Sequence, residues 1–212
     1  MTPTPDILLI KPGSQKQIYG DLSVFNFTAI EPPLWAAIIA GYLRGKNYRV
    51  ELLDAEADCL SYEETAKAVE DISPLLAVVM VSGSNPSAST MNMTGASSIV
   101  TLIKEASSNI KTGMAGLHPS ALPRRTMEEE NINFLIQGEG FYTFPKLLDV
   151  LKNGSDNFNI PGLWYRKEGQ IVESSIPELQ KDLDSIPRAA WDMLPMEKYR
   201  AHNWHCFDHI NE

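Results

Sequence analysis

The run Leu75–Val81 (LLAVVMV) constrains the fold more than any other segment. It has no polar side chain, it is too short for a buried helix, and Ser82-Gly83 ends it. That texture is a strand buried on both faces, which belongs at the centre of a parallel sheet. Four shorter runs repeat the theme: Asp6–Lys11, Tyr48–Leu53, Lys111–Ala115 and Asn133–Ile136. Helical spacing fills the gaps between them. Leu34–Lys46 carries the rows Leu34, Ile38, Tyr42 and Trp35, Ile39, Leu43 behind Pro32-Pro33. Tyr62–Ile72 ends before Pro74, and Ser87–Ser107 sets Ile99, Leu102, Ile103 and Ala106 on one side. Leu122–Glu130 and Phe141–Lys152 complete the alternation.

Strands alternating with helices imply an α/β fold, a doubly wound five-stranded parallel sheet by the right-handed crossover rule. The expected order is 2-1-3-4-5, flavodoxin/Rossmann-like, with short Asn133–Ile136 at an edge. This order puts the switch point between the first and third strands, where such sheets bind ligands. After Asn153-Gly154 the texture changes. Ile160–Arg166 and Gln170–Ser174 flank the turn Lys167-Glu168-Gly169 as a β-hairpin. The proline-bearing stretch Ile176–Pro195 reads as an ordered connector over the domain surface. Residues 1–153 are therefore expected to form one domain, and residues 154–212 a hairpin and connector that belong to a longer protein.

Composition narrows the partners. A net charge of −9 disfavours nucleic acid and anionic membranes, which attract basic faces. The longest apolar stretch, Pro32–Leu43, is too short for a membrane span. The start Met-Thr-Pro-Thr-Pro-Asp has no basic run ahead of its apolar segment, so no secretory leader is read, and the expected location is cytoplasmic. Cys59 and Cys206 form no CxxC pair.

Three loops at strand ends are candidate ligand contacts, with Pro12 and Gly13 beside them after the first strand. Ser82-Gly-Ser-Asn-Pro-Ser-Ala-Ser-Thr90 offers the hydroxyls of Ser82, Ser84 and Thr90, a flexible Gly83 and a helix start. Helix capping explains the same residues. Gly113-Met-Ala-Gly-Leu-His-Pro-Ser120 places Ala115, Gly116, Leu117 and His118 past the fourth strand. Gln137-Gly-Glu-Gly140 places Gly138, Glu139 and Gly140 past the fifth. Glycine lets a ligand approach the backbone, or simply allows a tight turn. Glu139 can orient a ligand amide or sugar hydroxyl, or favour the start of the next helix.

Other chemistry is missing its signature. There is no GxGxxG, no GxxxxGK[ST] and no GxSxG, and no nucleophile paired to a base. His202, His205, Cys206 and His209 have ligand types suited to zinc but little apolar support, and a polar connector is the favoured reading.

An ordered set of strings carries a family resemblance. Glu31-Pro-Pro-Leu-Trp-Ala-Ala-Ile-Ile-Ala-Gly-Tyr-Leu-Arg44, Tyr48-Arg-Val-Glu-Leu-Leu-Asp-Ala55, the two glycine loops, Leu183-Asp-Ser-Ile-Pro187 and Trp191-Asp-Met-Leu-Pro195 resemble the N-terminal half of cobalamin-binding radical S-adenosylmethionine (radical SAM) enzymes. In that family a cobalamin-binding domain precedes a radical SAM barrel opened by a CxxxCxxC motif. The motif is absent here, so the barrel is expected as a partner in cis beyond this chain.

The resemblance implies cobalamin as cofactor, with the iron–sulfur (4Fe-4S) cluster and S-adenosylmethionine confined to the missing C-terminal part. It implies methyl transfer or a radical rearrangement in the full-length protein, and a fragment inactive alone. The DxHxxG of cobalamin mutases is replaced by Lys11-Pro-Gly-Ser-Gln-Lys-Gln, so the implied mode is base-off and His-off, with the nucleotide tail beside the sheet. The contacts carried over are Ser82, Ser84 and Thr90, then Ala115 to His118, then Gly138 to Gly140. Ala115 departs from the family pattern, which often has a second glycine there. The competing reading is a flavodoxin-like module for another nucleotide or a protein partner, its glycine loops purely structural.

Overall fold

Two fully buried strands, β1 (Ile7–Lys11) and β3 (Leu76–Val81), form the centre of the sheet. The computed structural model describes residues 4–13, 20, 29–83 and 86–201. The helices and outer strands follow in chain order: α1 (Leu34–Gly45), β2 (Val50–Asp54), α2 (Tyr62–Ile72), α3 (Pro86–Ala106) and β4 (Lys111–Gly116). After these come α4 (Leu117–Ala121), α5 (Pro123–Glu129), β5 (Phe134–Ile136), α6 (Thr143–Lys152), β6 (Leu163–Lys167) and β7 (Gln170–Glu173). Short 3-10 turns at Leu183–Ser185, Trp191–Met193 and Met196–Lys198 punctuate the last segment.

The sheet order is β2-β1-β3-β4-β5-β6-β7. The parallel order 2-1-3-4-5 is as expected, and so is the switch point between β1 and β3. The strand count is not. Five strands were expected, with Asn133–Ile136 at an edge. Instead β6 pairs antiparallel with β5, Leu135 facing Trp164 and Ile136 facing Leu163. The cause is apolar: Leu163, Trp164 and Tyr165 are buried and extend the sheet over a strand that would otherwise expose its ladder. The edges are β7 and β2, whose residues are mostly half-buried or exposed.

Two apolar layers flank the sheet. One packs α1 and α6 on it through Ile39, Leu43, Phe144 and Leu147, and the other packs α2 and α3 through Val69, Ile99 and Ile103. Helix α1 buries Ala36, Ala37, Ile39, Ala40, Tyr42 and Leu43. Leu34 and Trp35, which head the two apolar rows, are 49% and 40% exposed at the helix start. Helix α2 is set by a capping box: Ser61 Oγ accepts from Glu64 N, and Ser61 N donates to Glu64 Oε2.

The connector docks on α1. Gly41 makes room for it, since a Cβ there would lie 2.4 Å from the Arg188 carbonyl oxygen. Ala190 N donates to Ala37 O at 2.9 Å, and Arg200 pairs with Ile30 as an isolated antiparallel bridge. Among the described residues no helix is long and apolar enough to cross a membrane.

Candidate functional site

A cleft of about 200 Å³ opens at the carboxyl ends of β3, β4 and β5. Each wall comes from a different element. Helix α1 supplies Trp35 and Ile39, and α6 supplies Phe144. Strand β3 supplies Met80 and Ser82, and β4 running into α4 supplies Ala115, Gly116, Leu117 and Ser120. The loop after β5 supplies Gly138 and Glu139. Ile39, Met80, Ala115 and Phe144 are buried, whereas Trp35, Leu117 and Gly138 are exposed. The deep part is thus apolar, and the mouth is a rim of Trp, Leu and backbone.

Hydrogen bonds hold these loops in place. Ser89 of α3 donates its hydroxyl to Val81 O at 2.6 Å and accepts from His118 N at 3.1 Å. One serine therefore ties the end of β3 to the start of α4. Asn92 donates Nδ2 to Ser82 O at 2.8 Å. Across the cleft, Ser120 Oγ accepts from Gly138 N at 3.0 Å. Gln137, beside it, accepts from the Trp164 indole at 3.0 Å.

The glycines serve internal packing. A Cβ at Gly116 would fall 2.1 Å from Val81 O, and φ there is +128°. One at Gly140 would meet the Phe144 ring at 2.7 Å, and one at Gly138 would meet Pro177 at 3.2 Å. Close approach of β4 to β3, and of loop to helix, is the reason for glycine at these places.

Six of the sequence candidates line the cleft: Ser82, Ala115, Gly116, Leu117, Gly138 and Glu139. Gly83 presses against Ala88 at the start of α3. Pro12 and Gly13 lie after β1, with the Gly13 carbonyl packed on Gly95 of α3. Thr90 and His118 meet each other, Oγ1 to Nδ1 at 3.0 Å, rather than the cleft. Gly140 packs under Phe144. Ser84 and the His202, His205, Cys206, His209 cluster lie outside the described residues. Among the described residues no three His, Cys, Asp or Glu side chains gather as a metal site.

Sequence reasoning passed over Trp35, Ile39, Met80, Ser120 and Phe144 as cleft residues. Four of them look like ordinary core in a periodic pattern. Ser120 had a signal, since it closes the same loop as His118. Leu117 and His118 were read as loop, but they open helix α4. Glu139 does something neither reading named: its Oε2 accepts from Gln180 N at 3.1 Å and pins the connector beside the rim.

A second polar node sits at the ends of β1 and β2. Lys11 Nζ lies 2.7 Å from Glu56 and 3.7 Å from Asp54, and it donates to the Glu31 carbonyl. Burial pushes the Asp54 carboxyl up, and the Lys11 charge only partly offsets it. This node carries no nucleophile–base geometry; it braces the strand ends.

The arrangement has the form of a small-ligand site: a cleft with buried apolar walls and a few polar groups. Its lining joins the apolar side chains of Ile39, Met80, Ala115 and Phe144 to two serines, Ser82 and Ser120.

Comparison with known proteins agrees with this geometry. The sequence matches the B12 binding domain family over residues 21–148. It is 30% identical over 171 residues to an uncharacterized methyltransferase of Pyrococcus horikoshii, covering 80% of this chain and 36% of that protein. It is 30% identical over 173 residues to an anaerobic magnesium-protoporphyrin IX monomethyl ester cyclase of Synechocystis, covering 79% of this chain and 33% of that protein. The chain thus spans about a third of the length of these relatives. Two solved structures share its fold. One is the cobalamin-dependent S-adenosylmethionine radical enzyme OxsB with aqua-cobalamin and S-adenosylmethionine bound (TM-score 0.66, 19% identity, 89% of this chain and 24% of that one). The other is the radical S-adenosylmethionine methyltransferase TsrM of Kitasatospora setae with cobalamin and a 4Fe-4S cluster bound (TM-score 0.61, 19% identity, 80% of this chain and 30% of that one). With 128 of its residues inside the family's span and a ligand cleft at the carboxyl edge of the sheet, this chain belongs to the B12-binding domain family, whose cofactor is cobalamin.

Proposed function

We propose that this chain is the cobalamin-binding part of a cobalamin-dependent radical SAM enzyme. The observation that carries the reading is the apolar cleft with two hydroxyls at the carboxyl ends of β3, β4 and β5, in a chain of this family. The relatives' names, a methyltransferase and an anaerobic cyclase, support an enzyme that uses the domain for methyl transfer or a related rearrangement. Residues 154–212 then serve as hairpin and connector to a C-terminal radical SAM domain in cis. That domain would hold the 4Fe-4S cluster and S-adenosylmethionine.

Bound cobalamin supplies a cobalt centre that can carry a methyl group. The residues here bind and orient. The cleft would hold the nucleotide end of the cofactor. Ser82 and Ser120 would offer it hydroxyls, and Trp35, Leu117 and Gly138 at the exposed rim would flank it. No described imidazole is at hand to replace the base: His118, the only histidine among the described residues, is held by Thr90. The base-off, His-off mode that the family resemblance implies is the one proposed here. The competing reading, a flavodoxin-like module for some other ligand, gains nothing from the family match.

Mixing the chain with hydroxocobalamin and desalting tests this. A coloured, stoichiometric complex with a base-off absorption spectrum is expected, and His118→Ala should leave that spectrum unchanged. A colourless protein overturns the binding reading, and a spectrum altered by His118→Ala overturns the His-off part.

A further inference from the structure

The connector touches elements from two walls of the cleft without lining it. On one side, Pro177 fills a notch between two loops: a Cβ on Gly138 would lie 3.2 Å from its ring, and one on Gly162 2.8 Å from it. Three residues on, Gln180 N donates to Glu139 Oε2 at 3.1 Å. The Gln180 side chain accepts from the Tyr142 hydroxyl at 2.9 Å and donates to Ser185 Oγ at 3.3 Å. Lys146 of α6 adds an ion pair with Glu178 at 2.9 Å. On the other side, Ala190 N bonds Ala37 O and the Arg188 carbonyl rests against Gly41, both on α1. Gly138 and Glu139 belong to the cleft lining, as do Phe144 of α6 and Trp35 and Ile39 of α1. Pro177 and Gln180 do not.

Glu139 is the part that cleft and connector share. One of its carboxylate oxygens is held by Gln180, and the other has no hydrogen-bond partner among the described residues. A ligand N–H or O–H donating to that second oxygen would fix the carboxylate, and with it the bond to Gln180. In the reverse direction, a docked connector holds Gly138 and Glu139 in place before the ligand arrives, which removes part of the ordering cost of binding. Such coupling is reciprocal by linkage. We infer that Pro177 and Gln180 are positioning residues of the cleft, so that connector docking and cleft occupancy reinforce each other through Glu139. The inference rests on the cleft being the ligand site, as proposed above.

Hydrogen exchange of the 212-residue chain, read by mass spectrometry with and without hydroxocobalamin, tests this. Exchange at the Gln180 amide should slow on the order of fivefold in the bound chain. Strand β7, at the edge of the sheet, should be unaffected. The slowing should disappear in Glu139→Ala and persist in Glu139→Gln, which keeps an oxygen acceptor. In the reciprocal measurement, Pro177→Ala/Gln180→Ala should bind hydroxocobalamin about fivefold more weakly, with circular dichroism confirming its fold. Unchanged or faster exchange in the parent chain overturns the coupling, and this arm needs no variant to fold. Slowing that survives Glu139→Ala, or unchanged affinity in the folded double variant, also overturns it. A parent chain that takes up no hydroxocobalamin overturns instead the binding reading on which the coupling rests.

Discussion

The phenol of Tyr199 donates to Asp54 Oδ2 at 2.9 Å, joining residues 145 positions apart. Both side chains are buried. Asp54 Oδ1 accepts from Ala57 N at 3.0 Å and Glu56 N at 3.1 Å, so the carboxylate is held on both oxygens. Through this contact the far end of the connector is fastened to the end of β2. The Ile30–Arg200 bridge lies beside it in sequence and repeats the fastening with backbone.

Tyr199→Phe should therefore destabilise the fold by about 1–2 kcal/mol, the usual loss when a buried acceptor is left short of a partner. The loss should depend on pH. Burial holds the Asp54 carboxyl above its ordinary value, and the Tyr199 hydrogen bond is one of the contacts that limit this rise. A raised folded value means that Asp54 favours folding most at low pH and loses that contribution as pH rises through the folded value. Removing the phenol lifts the folded value further. The substitution should cost more at neutral pH than at about pH 4, near the ordinary carboxyl value. Urea denaturation at the two values measures the difference, and an equal cost at both contradicts it.

Asp6 should behave in the opposite sense. Burial pushes its carboxyl up, but hydrogen bonds from Arg49 and Lys152 outweigh burial and leave it below the ordinary range. Arg49 donates from its guanidinium at 2.8 Å and from its backbone N at 2.9 Å, and Lys152 lies 3.1 Å away. A lowered folded value favours folding above the unfolded value, and this contribution fades as pH falls through the folded one. Asp6→Asn should cost about 2 kcal/mol at pH near 7 and flatten the acid limb of the stability curve. Unchanged acid sensitivity in Asp6→Asn would count against the Asp6 contacts.

Gly116 and Gly169 make a matched pair for testing why glycine is present. Both have positive φ, +128° and +79°. A Cβ at Gly116 strikes Val81 O, whereas one at Gly169 meets nothing within 4 Å. Gly169→Ala should cost about 1 kcal/mol, the conformational term alone, and Gly116→Ala about 3 kcal/mol or more, because β4 must part from β3. Thermal melts of the two variants should separate clearly. Equal losses would mean that backbone conformation, and not crowding, decides both.

The parallel sheet was legible because Leu75–Val81, Asp6–Lys11 and Lys111–Ala115 are apolar runs with breakers at their ends, and that pattern allows few topologies. Tyr62–Ile72 was legible to the residue, since Ser61, Glu64 and Pro74 mark both ends. The place of the hairpin was not. Nothing local to Leu163–Lys167 tells whether it pairs with Phe134–Ile136 or lies apart; only the exposed ladder of β5 decides, and that is a tertiary fact. For the site, the glycine loops pointed to the edge of the sheet where the cleft lies, and the structure gives those glycines a packing role as well. They were read as room for a ligand, but Val81 O and the Phe144 ring already fill the space beside Gly116 and Gly140. Phe144 and Met80 were hidden as cleft residues because a wall residue and a core residue have the same periodicity.

Ser120 separates a structural from a ligand-reading role. Its oxygen supports Gly138 N at 3.0 Å, a contact at an exposed position that water can replace, so Ser120→Ala should change stability only slightly. The lost hydroxyl hydrogen is a different matter: in the proposed binding mode it is a donor toward the nucleotide base in the cleft. Cobalamin affinity should fall about fivefold, the equivalent of one hydrogen bond of about 1 kcal/mol. Cobinamide, which has no base to contact, should bind the variant as it binds the parent. Spectrophotometric titration of both ligands, with circular dichroism to confirm the fold, gives the comparison. A parallel loss for cobalamin and cobinamide would place the effect in the loop and not in the cleft.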